Sequence, residues 1–172
     1  MVPTPQWKEK VKKEAWYQGD SYHLAIGQGD FLVTPLQLLN SVVTIANGGE
    51  LLKPQIVKEI RDPQGNIVKQ FSKEIVSQNL VDKSNIEIVR EAMRQTVTSG
   101  SGRILSDLPV TSGAKTGTAQ FGSEDKTHAW FVSFAPYDNP SIAVLVLVEE
   151  GGEGNIAAAP IANDILKYYF NR

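Results

Sequence analysis

The sequence contains no cysteine, which excludes a disulfide framework, a thiolate zinc site and a cysteine nucleophile. Its longest apolar run, Ile142–Val148, is far shorter than the about 20 residues that a membrane-spanning helix needs. Basic residues are not in excess, because 17 lysines and arginines face 19 acidic residues, and a net charge of −2 argues against nucleic-acid binding. The only histidines, His23 and His128, lack metal-ligand spacing, so we expect neither a metal nor a cofactor.

What is present is a chain of 172 residues, 41% of them hydrophobic, which is enough for one globular domain with a core. The first twenty residues lack the apolar centre of a signal peptide. Residues 1–33 are predicted to be an irregular lead-in, since prolines and glycines interrupt any regular period there. Four lysines of this segment are expected to form a solvent-exposed basic face: Lys8, Lys10, Lys12 and Lys13.

Residues 34–99 follow the pattern of a helix, a β-hairpin and a second helix. Thr34 and Ser84 stand in the N-cap positions of the two helices, where a hydroxyl oxygen accepts a hydrogen bond from the first turn. Ser84 and Glu87 also have the spacing of a capping box, and residues 62–65 have turn chemistry. The predicted elements are a helix over 35–47, strands over 55–61 and 66–71, and a helix over 84–98.

Residues 112–172 indicate three consecutive antiparallel strands and a closing helix over 157–170. The third strand, Ile142–Val148, is apolar throughout, which predicts cover on both faces. It has a sequential neighbour on one side only, so we expect self-association through its free edge. The fold class is therefore α+β, an antiparallel sheet with packed helices. The residues of the closing helix predicted to point inward are Ile161, Ile165, Leu166, Tyr169 and Phe170.

The segment 115–118, Lys-Thr-Gly-Thr, carries groups suited to the C-terminal end of a peptide. A phosphate-binding loop would need a glycine before the lysine and a helix after it, and this segment has neither. Lys115 supplies a cation and the two threonines supply hydroxyl donors, which together can hold a carboxylate. Gly117 lets another backbone approach, so a peptide could pair with the strand and a backbone N–H could face a developing oxyanion. An ordinary strand with a solvated lysine is the alternative.

The same segment, continued by Ala119 and Gln120, resembles the K-T-G active-site motif of penicillin-binding proteins and serine β-lactamases. Residues 16–20, 25–29 and 34–38 resemble a characteristic stretch of class B penicillin-binding proteins, and residues 2–8 resemble the segment before it in the elongation type, penicillin-binding protein 2. Residues 129–131, 134–136 and 149–152 resemble the strands that follow the K-T-G motif in this family. The resemblance covers nearly the whole chain in order. It implies the C-terminal part of a transpeptidase domain, with a partial β-lactamase/transpeptidase-like fold.

The resemblance implies a serine-type D-Ala-D-Ala transpeptidase that cross-links peptidoglycan stem peptides, supports cell shape and binds penicillin. Lys115 would bind the substrate carboxylate, and Thr116 and Thr118 would donate hydroxyl hydrogen bonds to it. The N–H of Thr118 would form half of the oxyanion hole. The expected substrate-binding strand is completed by Gly117, Ala119 and Gln120.

The family's nucleophilic serine, with its lysine partner, and its S-x-N motif are not recognised in this sequence. Three short matches exist, at 112–115 and 123–126 for S-x-x-K and at 77–79 for S-x-N, but none lies on an apolar-flanked helix. We interpret them as accidental, and expect the nucleophile in a preceding part of a longer protein and this chain alone to be inactive. The alternatives are a non-catalytic peptide-binding module and a D,D-carboxypeptidase or β-lactamase relative.

The resemblance also implies partners and a location. The expected ligands are the D-Ala-D-Ala stem peptide and β-lactam antibiotics, and the expected protein partner is a membrane glycan polymerase. The whole protein would work at the extracytoplasmic face of the bacterial cell membrane, held by an N-terminal segment outside this sequence. No nucleic-acid partner is expected.

Overall fold

The computed structural model describes residues 2–122 and 126–172, which form helices around three antiparallel sheets. The α-helices are α1 (Pro5–Lys12), α2 (Gln18–Ala25), α3 (Pro35–Ala46), α4 (Lys83–Thr98) and α5 (Ala159–Phe170). The strands are β1 (Leu51–Leu52), β2 (Glu59–Arg61), β3 (Ile67–Gln70), β4 (Ile75–Ser77), β5 (Gly113–Gln120), β6 (Thr127–Ala135) and β7 (Ile142–Val148). Within these ranges no helix has the length and apolar character needed to cross a bilayer.

The largest sheet contains β5, β6 and β7 in that order, all antiparallel. Phe131 lies at its centre, opposite Thr116 on β5 and Val146 on β7. The three consecutive strands predicted from the sequence are therefore observed, and β7 has the predicted bounds. The predicted α+β class, an antiparallel sheet with packed helices, is confirmed.

Helices cover both faces of this sheet, as the apolar composition of β7 predicted. One face carries Phe131, Val144 and Val146 and packs against the small side chains of α5. The other face carries Val132 and Phe134 and packs against α3 and α4. Burial of each large apolar side chain contributes about 1.5–3 kcal/mol, so this double cover is the main source of stability.

Two edges of the sheet have no strand neighbour among the described residues. β7 pairs only with β6, and β5 likewise pairs only with β6. An unpaired edge exposes backbone N–H and C=O groups that can accept another chain. Self-association through the β7 edge stays a prediction. The β5 edge carries the Lys-Thr-Gly-Thr segment.

The prediction that residues 1–33 are irregular is wrong, because they contain α1 and α2. Pro5 does not break α1, since it occupies the first turn, where a missing N–H costs nothing. The Thr4 hydroxyl caps the same turn by accepting a hydrogen bond from the Trp7 N–H at 3.1 Å. Short helices of two turns have too little periodicity to be distinguished from a loop by pattern alone.

The expected exposed basic face is also wrong for Lys8, which is only 6% exposed. Its Nζ lies 2.8 Å from Asp20 Oδ2, so α1 and α2 are joined by an ion pair. The hydrogen bond with Asp20 raises the pKa of Lys8, and the bond with Lys8 lowers the pKa of Asp20. The pair therefore stabilises the fold at neutral pH. Its contribution is lost as the pH falls through the lowered pKa of Asp20 or rises through the raised pKa of Lys8.

The bounds of α3 and α4 were predicted to within one residue, but only the N-cap of α3 was predicted correctly. Thr34 caps α3 as expected, and its capping-box partner is Gln37, whose Oε1 accepts the Thr34 N–H at 2.9 Å. α4 begins one residue earlier than predicted, so its N-cap is Asp82 and the expected capping box of Ser84 with Glu87 is not formed. The strands of the hairpin, β2 and β3, are shorter than predicted, and the pairing of β1 with β4 was not predicted.

The closing helix begins at Ala159, after a π-helical turn at Gly154–Ala158. Leu166 points inward as predicted and is fully buried. Ile161, Ile165 and Tyr169 do not point inward, since each is more than 40% exposed. The reason is that α5 faces the sheet with a narrow stripe of mostly small residues: Ala159, Ala162, Asn163 and Leu166.

Candidate functional site

The Lys-Thr-Gly-Thr segment lies on β5 at the free edge of the sheet. Alternate residues of a strand direct their backbone groups to the same side, and the contacts of Thr116, Thr118 and Gln120 show that theirs face the free edge. The Thr118 N–H, the expected oxyanion donor, therefore faces that edge. The Lys115 side chain is exposed, so the segment presents a cation and backbone groups together.

Gly117 does allow a close backbone approach, and the approaching chain is Gly154 at the start of the π-helical turn. A Cβ on Gly154 would lie 2.6 Å from Gly117 O and even closer to Trp130 O. On Gly117 itself a Cβ would lie 3.2 Å from Trp130 Cβ. The two glycines thus let the turn before α5 lie directly on the paired backbones of β5 and β6.

A cavity of about 600 Å³ adjoins the segment, between α3, α4 and the sheet. Lys115, Thr116 and Gly117 form part of its lining beside Trp130. Its other walls are mainly apolar and are contributed by Leu38, Val42, Ile45, Ile88, Val89, Ala92 and Met93. A charge beside apolar walls interacts more strongly with an opposite charge than it would in water.

The charge of Lys115 is not neutralised by any carboxylate in the described part of the chain. Its Nζ instead donates to Thr116 O at 2.5 Å, a bond along the strand itself. This cation is thus available to an anionic ligand, unlike Lys8 and Lys12, whose Nζ atoms lie within 3 Å of aspartate oxygens.

Two residues of the site were missed by the sequence analysis. The first is Ser101, whose Oγ lies 2.8 Å from Thr116 Oγ1. From the sequence, the loop around Ser101 was interpreted only as the end of a helix. In the structure this loop packs on β5, since a Cβ on Gly102 would lie 3.4 Å from Ala114 Cβ. The hydroxyl of Thr116 is therefore already paired, which makes the hydroxyl of Thr118 the more available donor.

The second missed residue is Gln28, which reaches the free edge of β5. Its Nε2 donates to Thr118 O at 2.9 Å, and its Oε1 accepts the Gln120 N–H at 3.4 Å. A second cavity of about 410 Å³ separates the loop 26–33 from β5. The Ala-Ile-Gly-Gln-Gly stretch contributed to the family resemblance, but no local pattern indicated a contact across 90 residues.

The short motif matches do not supply a nucleophile pair on a helix. Ser112 is fully buried just before β5, and Ser77 ends β4 in a different sheet. The match at 123–126 begins with residues outside the described ones. His128 stacks on Phe121 and accepts the Glu150 N–H at Nδ1, so it has a structural place. Within the described ranges no three acidic or histidine side chains form a metal site.

Comparison with known proteins decides the family. Residues 3–167 match the transpeptidase family described as the penicillin binding protein transpeptidase domain. This chain belongs to that family. The sequence-based recognition of a class B, penicillin-binding protein 2-type chain is thereby confirmed, and so is the expected β-lactamase/transpeptidase-like fold.

Individual transpeptidases agree with the family match over nearly the whole chain. Peptidoglycan D,D-transpeptidase MrdA of Haemophilus influenzae is 31% identical over 190 residues, which cover 99% of this chain and 29% of MrdA. Penicillin-binding protein PBP2 of Pseudomonas aeruginosa is 32% identical with a TM-score of 0.78, over 98% of this chain and 38% of that structure. PBP2 of Helicobacter pylori, solved with MreC, is 30% identical with a TM-score of 0.77, over 99% of this chain and 30% of that structure. The transpeptidase chain spans about a third of the length of these proteins.

Proposed function

We propose that this chain forms the carboxylate-binding and oxyanion side of a peptidoglycan D,D-transpeptidase site. The observation that carries the proposal is the placement of Lys115, a cation with no carboxylate partner among the described residues. It lies on a free strand edge, three residues from the outward-facing Thr118 N–H. A peptide ending in a carboxylate meets both needs, since its terminus pairs with a cation while its last peptide carbonyl accepts a backbone N–H.

The reaction proposed for the whole protein is acyl transfer in two steps. A serine outside these 172 residues attacks the carbonyl between the two D-Ala residues; its oxygen–carbon bond forms, the carbon–nitrogen bond breaks, and D-Ala leaves with the proton. An acceptor amine then attacks the ester, a new amide forms, and the serine regains its proton. A β-lactam would acylate the same serine.

Residues of this chain would bind the two negative charges of that reaction, the substrate carboxylate and the developing oxyanion. Lys115 would hold the substrate carboxylate, with the Thr118 hydroxyl as a further donor to it. The Thr118 N–H would stabilise the oxyanion, a contribution for which loss of one donor typically costs about 10²–10³ in rate. The remaining residues of the strand, Gly117, Ala119 and Gln120, would line the peptide.

Partners and location are proposed for the whole protein by similarity. One solved relative, PBP2 of H. pylori, forms a complex with MreC, and an MreC-like protein is therefore a candidate partner. The resemblance to elongation-type proteins also implies a membrane glycan polymerase as a partner. Such a protein would act at the extracytoplasmic face of the bacterial membrane, where its stem-peptide substrate is found.

The carboxylate proposal is tested by binding rather than by turnover. We expect the chain to prefer a peptide ending in D-Ala-D-Ala carboxylate over its C-terminal amide, measured by calorimetric titration. Lys115→Ala should lower the ratio of the two affinities about 10- to 100-fold, the range expected for a hydrogen bond to a charged group. Lys58→Ala, an exposed lysine of the hairpin region, is the matched control. Equal binding of acid and amide by the unchanged chain would contradict the proposal.

Mass spectrometry after incubation with benzylpenicillin completes this test. We expect no covalent adduct on the 172-residue chain and an adduct on the product of the complete reading frame that contains it. An adduct on the chain alone would contradict an external nucleophile. Release of D-Ala without cross-links by the complete protein would favour a carboxypeptidase, and hydrolysis of the antibiotic would favour a β-lactamase.

We also propose that the free edge of β7 pairs with a second copy of this chain. The edge is seven residues long and apolar, and its only strand neighbour in the described part is β6. Unprotected edges of this kind associate readily. Sedimentation equilibrium over a range of concentrations should show dimers or larger species. A chain that stays monomeric throughout would contradict this pairing.

A further inference from the structure

The side-chain amide of Gln28 is bound to the strand edge in the manner of a peptide group. It donates to the C=O of Thr118 and accepts from the N–H of Gln120, two residues further along. A carbonyl of residue i and an N–H of residue i+2 are the two groups that a single residue of a parallel neighbouring strand uses. Gln28 therefore copies one residue of an added strand, although it belongs to a loop.

The loop places Gln28 there by its own geometry. Gly27 and Gly29 have positive φ angles of 71° and 72°, so the chain turns sharply on either side of Gln28. The Gln28 N–H donates to His23 O at 2.8 Å, which ties the turn to the end of α2. Because the Gln28 backbone is bound to α2, Gln28 contacts β5 through its side chain.

An extended peptide ligand needs one of the groups that Gln28 occupies. In an antiparallel pair, residues directly opposite each other exchange both of their backbone hydrogen bonds. If the Thr118 N–H receives the carbonyl of a ligand residue, the N–H of that same ligand residue faces Thr118 O. Thr118 O, however, already accepts a hydrogen bond from Gln28 Nε2 at 2.9 Å.

We propose that the Gln28 side chain occupies Thr118 O in place of a peptide ligand and is displaced when the ligand binds. Gln28 thereby determines how much affinity the site gains from the N–H of the penultimate ligand residue. This inference rests on the proposed function, because it assumes that Thr118 binds the penultimate residue of a D-Ala-D-Ala peptide. The ligand N–H exchanges with the Gln28 amide at Thr118 O, so the site gains little from this N–H while Gln28 is present. Without the Gln28 donor, the ligand N–H contributes a full additional hydrogen bond.

The test compares two peptides that differ in this N–H alone. One is diacetyl-Lys-D-Ala-D-Ala, and the other has D-lactate in place of the penultimate D-Ala, which replaces the N–H by an ester oxygen. Both are titrated into the nitrogen-15-labelled 172-residue chain, and affinities are taken from the amide shifts of residues 115–120. We expect Gln28→Ala to raise the preference for the amide over the ester about fivefold, which corresponds to about 1 kcal/mol for one hydrogen bond.

A second variant separates the donor from the rest of the side chain. Gln28→Glu keeps an oxygen for the Gln120 N–H but has no donor for Thr118 O, so it should raise the amide preference as Gln28→Ala does. Its added negative charge should weaken both peptides alike and leave the preference unaffected. Gln64→Ala, in the exposed turn between β2 and β3, is the matched control and should behave as the unchanged chain.

The outcomes distinguish this inference from the proposed function. If both peptides bind and the amide preference is the same with and without Gln28, the role of Gln28 is overturned while the carboxylate site stands. A lower amide preference in Gln28→Ala also overturns it, since Gln28 would then assist the ligand rather than compete with it. If neither peptide shifts residues 115–120, both the inference and the proposed function fail.

Discussion

Replacing Phe131 with alanine is expected to lower the free energy of unfolding by about 3–5 kcal/mol. Phe131 is fully buried at the centre of β6, and its side chain packs in the core between the sheet and α5. Deleting the ring removes its burial and leaves a cavity that the paired strands cannot close. A domain is stable by only about 5–15 kcal/mol, so this one change removes much of the total.

Urea denaturation followed by circular dichroism measures this effect. The matched control is Tyr168→Ala, which also removes an aromatic ring but at a position that is 66% exposed, and it should change stability by less than about 0.5 kcal/mol. Equal destabilisation by the two variants would contradict the burial of Phe131. Because Phe131 lies opposite Thr116, the variant should also loosen the strand that carries Lys115.

Replacing Gly154 with alanine is expected to destabilise the chain by about 3 kcal/mol or slightly more. The added Cβ would overlap Trp130 O and lie 2.6 Å from Gly117 O. Both obstacles are backbone atoms of paired strands, so no side-chain rotation relieves the overlap. The turn before α5 must then move away from the sheet, and the cover over β5 and β6 loosens.

Thermal unfolding monitored by circular dichroism checks this prediction. Gly19→Ala is the matched control: Gly19 lies in α2 with no atom within 4 Å of an added Cβ, and alanine favours a helix over glycine. The control should therefore be neutral or slightly stabilising. If Gly154→Ala unfolds at the same temperature as the unchanged chain, the close packing of Gly154 on Gly117 is not present.

The elements that sequence analysis placed well have strong local signals. β7 is uniformly apolar, and α3 has a proline at its first turn and a threonine cap, so each pattern predicts one structure. The elements it missed have weak local signals or are stabilised from elsewhere. α1 and α2 have two turns each, and they are joined by the ion pair of Lys8 with Asp20, which no local pattern reveals.

The candidate site shows the same division. Lys115 and Thr118 were identified because the chemistry of the segment and its family resemblance lie within a few consecutive residues. Ser101 and Gln28 were not identified as site residues, since each reaches β5 from a separate loop. Serine and glutamine are common polar residues with no distinctive local pattern. They belong to the candidate site because the fold places them in hydrogen-bond contact with Thr116 and Thr118.

The amino-acid sequence by itself determined the α+β class, the order of the three strands, the family and the strand that carries Lys115. The class and the strands follow from composition and periodicity, and the family follows from the resemblance that short motifs carry, so all of them depend on neighbouring residues. Only the tertiary structure decided that Gln28 occupies the edge of that strand and that Gly154 lies against Gly117. Such contacts join residues far apart in the chain, and the packing of helices on both faces of the sheet brings them together.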